Sequence, residues 1–170
     1  MRSSEPGVSV VVAIQASGAP GRRAFVVRRN MQTTTKCHIE IILHESRVIA
    51  IDDQVESIIL HLQVATLSPK HPANHSGCFL DLRPAELKLC PVRSTCVDLW
   101  NDALKSFERS NERIPSGLTE IYEPERPIIE PDGCLMWIVN GFDAISGRWL
   151  EWRVRAEAFE LSWNTEEKRK

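Results

Sequence analysis

No apolar run in the 170-residue sequence reaches the roughly 20 residues that a membrane-spanning helix needs, which excludes a helical span. Cys-x2-Cys is absent. The five cysteines, Cys37, Cys78, Cys90, Cys96 and Cys134, are odd in number and irregular in spacing, which excludes a secreted disulfide framework and the usual zinc knuckles. They read as reduced, mostly buried thiols. There is no glycine-rich phosphate loop of Walker or dinucleotide type and no Gly-x-Ser-x-Gly elbow. Charge of one sign is not in excess either: a net charge of -2 argues against bulk attraction to nucleic acid or anionic lipid. No internal repeat is visible.

What is present is an ordinary globular composition, 42% apolar and 26% charged, enough for a core that needs no metal or disulfide to form. The charge is unevenly spread. Residues 1–36 carry Arg2, Arg22, Arg23, Arg28, Arg29 and Lys36 against Glu5 alone, a net +5, so the chain total of -2 leaves -7 on residues 37–170. Residues 1–36 therefore read as a basic leader, residues 37–163 as a single domain and 164–170 as a charged tail. The leader fits an organellar transit peptide or an extension upstream of a start at Met31. Val8–Ile14 followed by Ala16-Ser17-Gly18-Ala19 resembles a signal peptide only weakly, because Glu5 sits where a basic front belongs. The compartment expected is the cytoplasm, with an organelle as the alternative.

The chain is organised around Cys134–Trp163, which reads as a long β-hairpin. Cys134-Leu135-Met136-Trp137-Ile138-Val139 is a short apolar run, and Asp143-Ala144-Ile145-Ser146-Gly147 is turn chemistry, with Gly147 free to take positive φ. Beyond the turn, Leu150, Trp152, Val154, Ala156 and Ala158 alternate with Glu151, Arg153, Arg155 and Glu157. After Ala158 the phase shifts to Phe159, Leu161 and Trp163, which predicts a β-bulge. A helix from Arg148 onward competes, because Leu150, Val154, Ala158 and Leu161 also fit a helical stripe; the turn punctuation favours the strand.

Upstream, His38–His44, Arg47–Ile51 and Ser57–Val64 read as three strands, Cys78–Leu82 and Glu86–Leu89 as further candidates, and Leu118–Tyr122 as a short strand in the proline-rich 114–133 segment. Thr33-Thr34-Thr35 reads as linker. Over residues 95–110, Val97, Trp100, Leu104 and Phe107 recur at three and four and predict an amphipathic helix, with Thr95 as cap, Asp98 and Asp102 at its amino end and Lys105 and Arg109 at its carboxyl end. The fold class expected is α+β: one antiparallel, meander-like sheet of about six to eight strands with that helix on one face.

Three constellations carry candidate chemistry. His71, His75, Cys78, Cys90 and Cys96, spaced His-x3-His-x2-Cys-x11-Cys-x5-Cys, supply enough N and S donors for a tetrahedral zinc site, although Pro72 prevents a helical presentation of both histidines. Histidines His38, His44 and His61 fall in strands and read as an exposed polar face or a second ligand set. Trp149, Arg153 and Arg155 on the last hairpin are residue types that anchor protein partners; their neighbours Glu151 and Glu157 make the face mixed in sign, so a phosphate track is not expected. The function expected is that of a small, soluble, non-catalytic interaction protein offering an acidic sheet face or the proline-rich edge to a basic protein, with no cofactor. The alternatives are a zinc-stabilised module on residues 71–96 that touches nucleic acid through the leader, and an enzyme using Cys and His.

Overall fold

Wherever apolar and polar residues alternate with period two, the chain is extended. The computed structural model describes residues 8–10, 31–38, 40–124 and 127–165, and among them there is no helix. The strands, in chain order, are β1 (Val8–Val10), β2 (Met31–Thr35), β3 (Ile41–Ile42), β4 (Ser46–Asp53), β5 (Ile58–Leu62), β6 (Ala65–Leu67), β7 (Leu80–Leu82), β8 (Ala85–Leu89), β9 (Val92–Asn101), β10 (Ser106–Arg109), β11 (Leu118–Pro124), β12 (Ile128–Ile129), β13 (Leu135–Asp143), β14 (Arg148–Ala156) and β15 (Phe159–Thr165). Twelve of them form one antiparallel sheet in the order β1-β2-β15-β8-β5-β4-β11-β13-β14-β9-β10, with β12 beside β13, and β3-β6-β7 form a small second sheet.

The fold is therefore all-β, and the α+β expectation is wrong in its helix and in its strand count. Residues 95–110 are not a helix but the hairpin β9–β10, with Phe107 opposite Trp100 and Arg109 opposite Asp98. The stripe that predicted a helix is split between environments: Val97 is fully buried, Trp100 lies on the other face of the strand, Leu104 sits in the turn and Phe107 is exposed. A long-range partner overrides the local pattern, since β14 supplies a ladder from Leu99 down to Val92 that an isolated helix of this length has nothing to match. Of the charges that suited a helix dipole, Asp98 and Arg109 pair across the strands, and Asp102 and Lys105 pair at 3.5 Å within the turn.

The predicted hairpin at the carboxyl end is β13–β14, paired from Leu135↔Ala156 to Asp143↔Arg148. The phase change after Ala158 accompanies an irregular ladder: the β14–β9 register shifts between Arg155 and Ala156, the Glu157 and Cys90 N–H groups donate to the carbonyls of Pro91 and Ala158, and β15 then runs on between β2 and β8. Thr33-Thr34-Thr35 is part of β2 and pairs with Trp163, Ser162 and Leu161.

One core lies inside a curled sheet. In a flat sheet β13 and β15 would stand five strand steps apart, about 24 Å at about 4.8 Å per step. Yet the Trp137 ring of β13 and the Phe159 ring of β15 are 5.5 Å apart. The sheet rolls over so that its inner face closes on itself, joining Ile58, Leu60 and Leu62 of β5, Leu87 and Leu89 of β8 and Trp152 and Val154 of β14 in one apolar cluster. β4 is the hinge strand of this roll: its first residues pair with β11 and its later ones with β5.

Candidate functional site

The roll leaves an outer face over β11-β13-β14-β9-β10, and successive rungs of that face have different chemistry. Because Leu150, Trp152, Val154 and Ala156 point inward, Trp149, Glu151, Arg153 and Arg155 point outward. Phe142 is the direct partner of Trp149. The rung next to Leu150↔Leu99 brings Trp149 level with Trp100, whose partner across the edge is Phe107. Tyr122 of β11 completes the row. Its ring is 5.1 Å from that of Trp149, Phe142 is 6.0 Å from Trp149, and Trp100 is 5.3 Å from Phe107, every pair edge to face. Five aromatic side chains from five strands thus make a ridge, with Trp149 49% and Phe107 44% exposed.

Two hairpins of one design present the ridge. Both β9–β10 and β13–β14 close through four-residue turns, 102–105 and 144–147, and the register of β14 on β9 puts both turns at the same end of the sheet. The last strand residue before each turn caps it: Asn101 Oδ1 accepts from the N–H groups of Ala103 and Leu104 at 2.9 and 3.2 Å, and the Asp143 carboxylate from those of Ile145 and Ser146 at 3.3 and 3.0 Å. The last turn residue is left-handed in each, Lys105 at φ 52° and Gly147 at φ 70°. An aliphatic side chain stands out of each turn, Leu104 at 62% and Ile145 at 74% exposure. Arg148 laces the hairpins together, its Nε and Nη2 donating to the carbonyls of Trp100 and Leu99 at 2.6 and 3.1 Å.

Below the ridge the rungs are charged and internally neutralised. The nearly buried Asp98 accepts from Arg109 Nε at 2.5 Å and lies 3.4 Å from Arg153 Nη1, while Arg153 also pairs with Glu151. The Asp98 hydrogen bond holds the Arg109 guanidinium above its ordinary pKa. Arg155 pairs with Glu130 and Asp132, and the Glu130 hydrogen bond raises its pKa in the same way. Of the three residues expected to meet a partner, Trp149 is the centre of the ridge, whereas Arg153 and Arg155 are engaged by carboxylates on their own face. This face is balanced in charge, not acidic. Phe142, Trp100, Phe107 and Tyr122 are not expected at a site from sequence. The signal for the first three is the symmetry of Phe142/Trp149 and Trp100/Phe107 about two turns of equal length.

Asp132 gives this face an acid-sensitive corner. The backbone N–H of Cys134, aided by Arg155, holds its carboxyl below the ordinary range. A carboxyl lowered in the folded state stabilises the fold fully above its unfolded value of about 3.9, and the stabilisation is lost as the pH falls through the lower native value. Urea unfolding of the wild-type protein and Asp132→Asn should therefore differ by a constant amount from neutrality down to about pH 4, and the difference should vanish in stronger acid.

The expected zinc ligands are placed as follows. His71 is buried, its Nδ1 accepting from the Ala73 N–H at 3.0 Å and its Nε2 3.0 Å from the Cys37 carbonyl, so both ring nitrogens are engaged. His75 and Cys78 are exposed in the same loop, which Asn74 closes by donating to the carbonyls of Ser68 and Cys78 at 2.8 and 2.7 Å. Cys90 follows β8, and Cys96 stands on the outer face of β9 opposite Arg153. Among the described residues no three or more His, Cys, Asp and Glu side chains are grouped so as to hold a metal ion. The other histidines are also dispersed: His38 packs edge-on against Phe159, His44 contacts the Tyr122 carbonyl, and His61 lies between Asp52 and Glu86 at 2.9 and 3.3 Å. The basic residues of the leader, Arg22, Arg23, Arg28 and Arg29, lie outside the described residues.

Compared with known protein families, curated proteins and solved structures, the chain matches none, so the functional reading rests on the geometry of this face. No helix among the described residues is long and apolar enough to cross a membrane.

Proposed function

We propose that the protein is a non-catalytic interaction module that holds a protein partner on the aromatic ridge, with Trp149 as the central anchor. The observation that carries this reading is the ridge itself: a trio of rings on Trp149 and the Trp100–Phe107 pair set level with it by strand register, Trp149 and Phe107 nearly half exposed, on a face whose charges are already paired. An exposed Trp packed against further aromatic rings, beside arginines held in fixed geometry, presents the residue types that dominate protein–protein binding energy. Edge-to-face rings make a ridged surface that fits side-chain pockets better than a flat ligand. The charge of -7 on residues 37–170 favours a basic partner.

A photo-crosslinking amino acid placed at Ile145, beside the ridge, should capture one dominant protein in cells. The same group at Lys88, on the outer face of β8, should not. Trp149→Ala should weaken capture at Ile145 strongly, by about 30-fold in affinity if Trp149 contributes the roughly 2 kcal/mol of a typical hot spot. Equal, unselective labelling from both positions would refute the reading.

A further inference from the structure

We infer that the partner docks as an extended strand on the free edge of β10, continuing the sheet beneath the aromatic ridge, and that the preferred segment has a basic residue between two apolar ones. This rests on the interaction reading above and specifies how that partner is held.

The argument begins with the backbone. β10 ends the strand order of the large sheet, pairs with β9 alone among the described strands, and exposes all four of its residues. The Ser110 N–H donates to the Val97 carbonyl at 2.8 Å, which extends the β9–β10 register by one residue and identifies Ser110↔Val97 as a hydrogen-bonded pair. Such pairs alternate along an antiparallel ladder, so Ser106 and Glu108 also turn their amides and carbonyls toward β9. Phe107 and Arg109 therefore turn theirs toward solvent. The edge offers two donors and two acceptors in strand geometry, the template that strand addition uses.

Side chains define the occupant. Partner residues opposite Phe107 and Arg109 would lie on the outer face. One meets the exposed Phe107 ring, which packs edge-on against Trp100; the other meets the stem of Arg109, whose head is held by Asp98. Both positions favour apolar side chains. The partner residue between them falls opposite Glu108, whose carboxylate is only 3.6 Å from Arg148 and remains half exposed, so a lysine or arginine suits it. A second copy of this chain fits less well. The antiparallel self-pairing that opposes the outward-facing positions, Phe107 to Arg109, also sets Glu108 against Glu108, placing like charges directly across from each other.

The test is amide hydrogen exchange on the full chain, with a capped hexapeptide Thr-Val-Lys-Val-Lys-Thr as probe. Addition of the peptide should slow exchange at the Phe107 and Arg109 amides, which face solvent in the free protein, and leave Ser106 and Glu108 unchanged. A peptide N-methylated at the two valines, which lacks those backbone donors, should bind about tenfold more weakly or worse. If peptide shifts the Trp100 and Trp149 indole signals without protecting Phe107 and Arg109, strand addition is wrong while the ridge still binds. If crosslinking at Ile145 also fails, both readings fall. Protection of Phe107 and Arg109 that rises with protein concentration in the absence of peptide would assign the edge to a second copy and overturn the inference.

Discussion

Trp152→Ala is expected to lower the unfolding free energy by about 3–5 kcal/mol, the cost of deleting a large side chain from a core that cannot collapse around the void. Trp152 is fully buried at the middle of β14, between Val139 of β13 and Val97 of β9. Its neighbours are held by ladders on both sides, so relaxation into the cavity is limited. The change also removes the indole N–H that donates to Thr95 Oγ1 at 2.7 Å, while the Thr95 hydroxyl still bonds the Arg113 carbonyl at 2.9 Å. In a chain of this size that loss corresponds to a fall in Tm of about 6–20 °C. Trp152→Phe, which keeps most of the volume and loses the N–H, should cost about 1–2 kcal/mol. Differential scanning calorimetry of the two variants checks the ratio. If alanine and phenylalanine are equally mild, the curled core is not packed as described.

Gly141→Ala should cost about 3 kcal/mol, close to the limit for a single added methyl, because the obstruction includes backbone. A Cβ at Gly141 would lie 2.4 Å from Leu118 Cδ1 and 2.7 Å from the Glu120 carbonyl oxygen. Leu118 can swing away in part, but Glu120 belongs to β11, which pairs with β13 at Ile121↔Gly141 and with β4 at Glu120↔Arg47. Making room means moving β11 off its neighbours at the strand that joins the two halves of the sheet. Tyr122 follows two residues later, so the ridge should suffer along with the fold. A urea titration followed by tryptophan fluorescence reads both consequences, as a lower midpoint and an altered native spectrum. An unchanged midpoint would show that β11 is not held against β13 as closely as these distances state.

The hairpin β13–β14 was legible from sequence because both of its signals are local. Alternation from Leu150 to Ala156 states which side chains share a face, and Asp143 with Gly147 marks a tight turn. The β9–β10 hairpin carries the same design, an aromatic on each side of a capped four-residue turn, yet it reads as a helix. Its turn has Lys105 in place of glycine at the left-handed position, and Val97, Trp100, Leu104 and Phe107 happen to recur at helical spacing. Local pattern alone could not tell the two apart; the ladder with β14 decides it. The zinc candidates illustrate the converse. Their spacing assembles donors along the chain, but β9 carries Cys96 on its outer face opposite Arg153, and the ring nitrogens of His71 serve backbone groups.

By itself the sequence determined the extended conformation of most segments, the two faces of β14, the site of the Asp143–Gly147 turn and the lack of a helical membrane span. Those follow from side-chain period and residue chemistry over a few positions. Only the tertiary structure decided that β15 runs between β2 and β8 where β14 runs between β13 and β9, that the sheet rolls until Trp137 meets Phe159, and that aromatic residues from five strands line up in one row. The reason is that a period of two assigns a side chain to a face but not a strand to a neighbour. Neighbours are chosen by burying the whole inner face at once, and the outer row is aligned by the registers that result.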